Sequence, residues 1–166
     1  MATAPKLVNI AVPTAAYRIP GLVVEASAEP VHIAFGFNER KRLGFGHQID
    51  RAEIEDRDVP YPRDLLHTVP GIILKSTRSV DGGFTWMIES ARAANTGDCR
   101  VQVYANGVRM SSSSATDSGI LDDLLRVPAG DIEAVEVYRG PAETPEIYGG
   151  STARCGVVAI WHRRGR

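Results

Sequence analysis

The chain has 166 residues, a size that suits one domain with a core of its own. A formal net charge of −1 leaves no electrostatic case for nucleic acid or anionic lipid as a partner. No run approaches the roughly 18 consecutive apolar residues of a membrane-spanning helix, and residues 1–10 lack the apolar block of a secretory signal. The two basic clusters, Arg40-Lys41-Arg42 and Arg163-Arg164-Arg166, are short and read as solvated surface charge.

Residues 1–34 carry prolines at 5, 13, 20 and 30, which break any regular run. They read as an extended leader or the remnant of a preceding domain, with the second domain over residues 35–166. Phe35 to Gly46 mixes aromatics, glycines and basic residues and reads as an ordered loop. Asp50 then precedes a short helix predicted over residues 51–56, with Glu53 at capping-box spacing. A second short helix begins at Asp64 and ends at Pro70-Gly71, and the strand Ile72-Ile73-Leu74 follows.

Asp81-Gly82-Gly83 marks a turn before a buried strand at Trp86-Met87-Ile88. Val101 to Ala105 alternates like a half-buried strand, and Asn106-Gly107 is a strong hairpin signal returning through Val108-Arg109-Met110. Ser111 to Ser114 is a low-complexity loop. Ile120 to Leu125 has helical apolar spacing, stopped by Pro128 and Gly130. Two further strands are predicted: Ile132 to Val137, with Ile132, Val135 and Val137 inward and Glu133 and Glu136 outward, and Val157 to Trp161. The fold class expected is α/β of the α+β type, a small four- to five-stranded mixed sheet with short helices and long loops.

None of the residue patterns supports catalysis. Gly149-Gly150-Ser151-Thr152-Ala153 approaches a nucleophile elbow, but the run after it is β-like and only His162 follows. A phosphate loop over Gly150 to Gly156 fails on spacing and lacks its Lys. His32, His47, His67 and His162 show no metal-ligand spacing, and adjacent Asp122-Asp123 on a helix diverge by about 100°. No cofactor is implied, and the expectation is of a protein that is not an enzyme.

The C-terminal third supplies the positive signal. Asp131-Ile132-Glu133-Ala134-Val135-Glu136-Val137-Tyr138-Arg139-Gly140-Pro141 leads through Tyr148-Gly149-Gly150 into Gly156-Val157-Val158-Ala159-Ile160. Asp64-Leu65-Leu66-His67-Thr68-Val69-Pro70-Gly71 stands before it, and the hairpin turn between. In order and spacing these closely resemble the plug domain of TonB-dependent outer-membrane receptors. Two departures are Asn106 where the family carries Asp, and Ile88-Glu89-Ser90-Ala91-Arg92 in place of an Arg-Gly segment.

The resemblance implies a non-catalytic gating and ligand- or partner-contact module of an outer-membrane transport system, working in the periplasm or at the outer membrane. The signal peptide would then have been trimmed, with Met1 supplied for expression. Implied partners are a TonB-like energy-coupling protein and a β-barrel. Leu22, Val23, Val24, Glu25 and Ala26 resemble a TonB box; a local strand or the last strand of a truncated β domain is the other reading. Arg139, Glu136 and Glu143 are the candidate barrel or partner contacts, although Arg139 can also pair locally with either acid. Apical loops at residues 75–98 and 111–116 are the implied ligand contacts.

The 166 residues hold no run of alternating segments long enough for a 22-stranded barrel. Residues 36–46 and the Cys-Gly-Val-Val-Ala-Ile-Trp ending resemble plug proteins that follow a carboxypeptidase-regulatory-like domain and have no barrel. A stand-alone periplasmic interaction module that keeps the plug fold without transport is therefore the alternative function. Cys99 and Cys155 each precede a strand that the resemblance assigns to one small sheet. A disulfide is expected in an oxidising compartment and two separate thiols in a reducing one.

Overall fold

The computed structural model describes residues 30–78, 82–93, 99–110 and 118–163. Its centre is a five-stranded mixed sheet in the order β1-β6-β7-β4-β5. The strands are β1 (His47–Ile49), β4 (Gln102–Ala105), β5 (Val108–Arg109), β6 (Ile132–Tyr138) and β7 (Val157–His162). β7 runs antiparallel to β6 and parallel to β4, while β1–β6 and β4–β5 are antiparallel. Asn106 and Gly107 take φ of 50° and 81°, the mirror-image turn that matches strand twist in a two-residue hairpin.

β2 (Ile72–Arg78) and β3 (Phe84–Ser90) form a separate antiparallel hairpin. The predicted strand Ile72-Ile73-Leu74 thus opens this hairpin and lies outside the five-stranded sheet. Burial fades along β2, from half-buried Ile72 and Leu74 to an exposed Lys75–Arg78 end, and among the described residues the strand pairs with β3 alone. β3 attaches instead to the segment before β4, through Val101 N–H to Ile88 O at 2.9 Å and Ser90 N–H to Cys99 O at 3.1 Å.

Among the described residues five short α-helices pack on these sheets. α3 (Arg51–Arg57) starts as anticipated, the Asp50 carboxylate accepting the Glu53 N–H at 3.0 Å. α4 (Pro62–His67) opens on a proline at its first turn and closes at Thr68, whose hydroxyl donates to Leu65 O. α5 (Ser118–Arg126) places Leu121, Leu124 and Leu125 in the core. The remaining two are differences from the sequence reading. α1 (Val31–Ala34) lies inside the expected leader, and α2 (Phe37–Leu43) replaces the expected loop. Phe37 and Arg40 are one helical turn apart and both buried, which gives α2 a buried stripe that its basic composition masks.

The sheet is covered on both faces. One side packs Val103, Val135, Val137, Val158 and Ile160 against Ile54, Leu65, Leu66 and Leu125 of the helices. The other packs Tyr104, Ala134, Tyr138, Val157, Ala159 and Trp161 with Phe37, Tyr148 and Ala153. A register shift between Ile132 and Ala134 keeps Ile132 on the same side as Val135 and Val137.

Candidate functional site

Because β4 and β7 are parallel neighbours, their N-terminal ends lie together, and each is preceded by a cysteine. Cys99 and Cys155 form a disulfide with Cα atoms 5.2 Å apart. The bond joins the stretch that holds the β2–β3 hairpin to the start of the central strand.

At the C-terminal end of β6, the Arg139-Gly140-Pro141 turn aims Arg139 at Glu143. Arg139 donates to Glu143 from its backbone N–H at 3.2 Å, from Nε at 3.1 Å and from Nη2 at 2.9 Å. Arg92 approaches the same carboxylate at 3.6 Å. Burial raises the Glu143 pKa, but the Arg139 hydrogen bonds outweigh it and hold the group below the usual carboxylate range. Gly71, at φ 92°, makes this placement possible: a Cβ there would lie 2.5 Å from Arg139 Cδ. The local pairing of Arg139 is thus with Glu143, and the pair remains partly accessible.

Glu136 does something different. The outward placement expected for it is overturned, because its side chain is fully buried on the aromatic face of the sheet. Oε1 accepts from Arg40 Nη2 at 2.6 Å, Trp161 Nε1 at 2.8 Å and Tyr148 OH at 2.9 Å. Oε2 accepts from Arg40 Nε at 2.7 Å and from Tyr138 OH. Five donors surround two oxygens, the arrangement that an acceptor-only, ionised carboxylate satisfies.

Burial lowers the Arg40 pKa, yet its hydrogen bonds to Glu136 prevail and the guanidinium is held even more firmly charged. Burial first, then the Glu136 charge, pushes the Tyr138 and Tyr148 phenols above their ordinary range. Arg40 also donates to Phe35 O. The Arg40-Lys41-Arg42 cluster is accordingly not uniform: Lys41 and Arg42 are exposed, and Arg40 is buried. Glu133 is half-buried and pairs with Arg163 at 3.4 Å.

The sequence did contain a signal for this network. β6 and β7 each carry one large aromatic residue, Tyr138 and Trp161, on the face opposite their apolar neighbours Val137 and Ile160. A strand whose second face is solvated has no use for these large rings. Leu22, Val23, Val24, Glu25 and Ala26, the Ser111 to Ser114 loop and the Arg164–Arg166 end lie outside the described residues. Among the described residues no cluster of three or more His, Cys, Asp or Glu is placed to hold a metal ion, and no helix is long and apolar enough to cross a membrane.

Comparison with known proteins shows the family of this chain. Residues 46–154 match the family model described as TonB-dependent Receptor Plug Domain. The chain is similar to the vitamin B12 transporter BtuB of Vibrio vulnificus (strain YJ016), at 34% identity over 112 residues, covering 68% of this chain and 16% of the transporter. Among solved structures it is similar to the ferric yersiniabactin uptake receptor FyuA from Yersinia pestis, with TM-score 0.46 and 21% identity over 72% of this chain and 17% of that one. The ferric citrate transporter FecA in its unliganded form gives TM-score 0.46 and 20% identity over 75% and 19%. The chain therefore spans less than a fifth of each of these relatives. It belongs to the TonB-dependent receptor plug-domain family, whose members are generally non-catalytic and act as gates.

Proposed function

We propose that this domain is the gating and ligand- and partner-contact module of a TonB-dependent outer-membrane transport system, placed in the periplasm or at the outer membrane. The observation that carries the reading is the family match over residues 46–154, which takes in β1 to β6 and the Arg139 turn. In this role the segment Leu22 to Ala26 engages a TonB-like energy-coupling protein by adding an extended strand to the edge of its sheet. Arg139 and Glu143 form the face offered to a β-barrel, exchanging part of their mutual pairing for contacts with the wall. Glu136, being enclosed, serves that face from behind by fixing β6.

A second reading, a stand-alone periplasmic interaction module, is favoured by one feature. Both faces of the sheet are covered from within this chain, so the domain needs no barrel to enclose its core.

Photo-crosslinking separates the two. A benzoylphenylalanine at Val23 is expected to crosslink to a TonB-like protein in cells, and one at Ala142, beside Glu143, to an outer-membrane barrel. Crosslinks from position 142 to periplasmic proteins alone, with none from position 23, would overturn the transport reading in favour of the second.

A further inference from the structure

Between the β2–β3 hairpin and helices α4 and α5 lies an open cavity of about 450 Å³, lined by Tyr61, Arg63, Phe84, Trp86 and Arg126. Three of these side chains are aromatic, two are guanidinium, and none is acidic. Arg63 lies over the Tyr61 ring, 4.0 Å from its centroid, and 5.9 Å from that of Trp86. Its contact with Asp64 is loose, at 3.9 Å. Arg126 is exposed and makes no ion pair among the described residues. Asp122 on the same helix is already engaged, accepting the Trp86 backbone N–H at 2.7 Å. Phe84 keeps 56% of its surface exposed.

These groups define a ligand by complementarity. Aromatic faces favour a flat ring, offset-stacked or edge-on. A guanidinium stacked on an aromatic still presents its N–H edge, and that edge suits the paired oxygens of a carboxylate. A cation would meet two positive charges, and a saturated acid would forgo the ring contacts.

We propose that this cavity binds small planar aromatic anions, aryl carboxylates in the simplest case. Tyr61, Phe84 and Trp86 supply the walls, and Arg63 and Arg126 hold the anion. The proposal rests on the ligand-contact reading above, since Phe84 and Trp86 belong to the stretch 75–98, and it names the chemistry of that contact.

The test uses the whole chain and follows indole N–H resonances while 2-naphthoate is added. The protein has two tryptophans, and fully buried Trp161 serves as the internal reference for Trp86. A saturable shift at Trp86 with Trp161 unmoved is expected. Neutral 2-naphthylmethanol and non-aromatic cyclohexanecarboxylate should each bind at least about tenfold more weakly, and Arg126→Gln and Arg63→Gln should each weaken 2-naphthoate by about tenfold. Arg126 is exposed, so its replacement leaves the fold intact. No saturable shift at Trp86 at millimolar naphthoate overturns the site. Undiminished binding by Arg126→Gln, or equal binding of the neutral alcohol, overturns the anion assignment. The crosslinking at positions 23 and 142 does not involve this cavity, so failure of one reading leaves the other testable.

Discussion

Removing the Glu136 carboxylate should be among the most damaging single changes in this domain. In Glu136→Ala, Arg40 stays on α2 with its guanidinium facing the gap, and the Trp161, Tyr138 and Tyr148 donors lose the same acceptor. Breaking a buried ion pair from one side costs about 3–5 kcal/mol, chiefly because the remaining charge is stranded. Typical domains have only about 5–15 kcal/mol of stability in total. The urea midpoint should therefore fall steeply with the slope unchanged.

Arg40→Met together with Glu136→Leu removes both charges, so its cost should be well below the sum of the single changes. A double-mutant cycle read by urea denaturation measures that difference. If Glu136→Ala lies within about 1 kcal/mol of the parent, the network is not holding α2 to the sheet and the reasoning fails.

Two further outcomes are expected. Reducing the Cys99–Cys155 bond, or making Cys155→Ser, opens a closed loop spanning 56 residues of separation and should cost about 4 kcal/mol in the chain-entropy account. Free-thiol counting on unreduced, denatured protein should find none, and an unchanged melting temperature on reduction would contradict the expectation. Stability should also fall on acidification: burial depresses the folded-state pKa of His32, His47 and His162 below 6.5. The unfolded chain therefore binds protons first, and stability present above 6.5 is lost as pH drops through that value towards the folded pKa values. Asp50 and Glu143, with depressed carboxyl pKa values, add a second loss at lower pH. Urea midpoints flat between pH 7.5 and 5.5 would refute the histidine part.

Local chemistry made much of this fold legible. Asp50 and Asn106-Gly107 each act through neighbours three residues away or fewer, so their roles survive without tertiary information. The burial of Ile132, Val135 and Val137 follows from apolar spacing alone. What failed were the features that depend on what covers the second face of a strand. Glu136 and Arg40 are 96 positions apart in the chain, and each alone has the composition of a surface residue. α2 was hidden for the same reason, since the charge that fills its buried stripe is matched only by β6. The cavity residues Arg63 and Arg126 meet through the packing of α4 against α5, which no short motif encodes.

The physical limits of the domain also differ from those of its sequence match. Residues 46–154 exclude Arg40, the partner of a fully buried Glu136, and they stop one residue short of Cys155. They also exclude all of β7, the strand that pairs with both β6 and β4. Without β7 the five-stranded sheet becomes two separate pairs of strands, and isolated two-stranded pieces are marginal in water. Val158 and Ile160 leave one core cluster, and Ala159 and Trp161 leave the other. A fragment of residues 46–154 is therefore expected to lack dispersed amide resonances and to unfold without cooperativity. Residues 30–163 should show a cooperative transition close to that of the full chain. A well-dispersed spectrum from residues 46–154 would show that β7 and the Arg40–Glu136 pair are accessory, and that the helices with β1 to β6 hold a sufficient core.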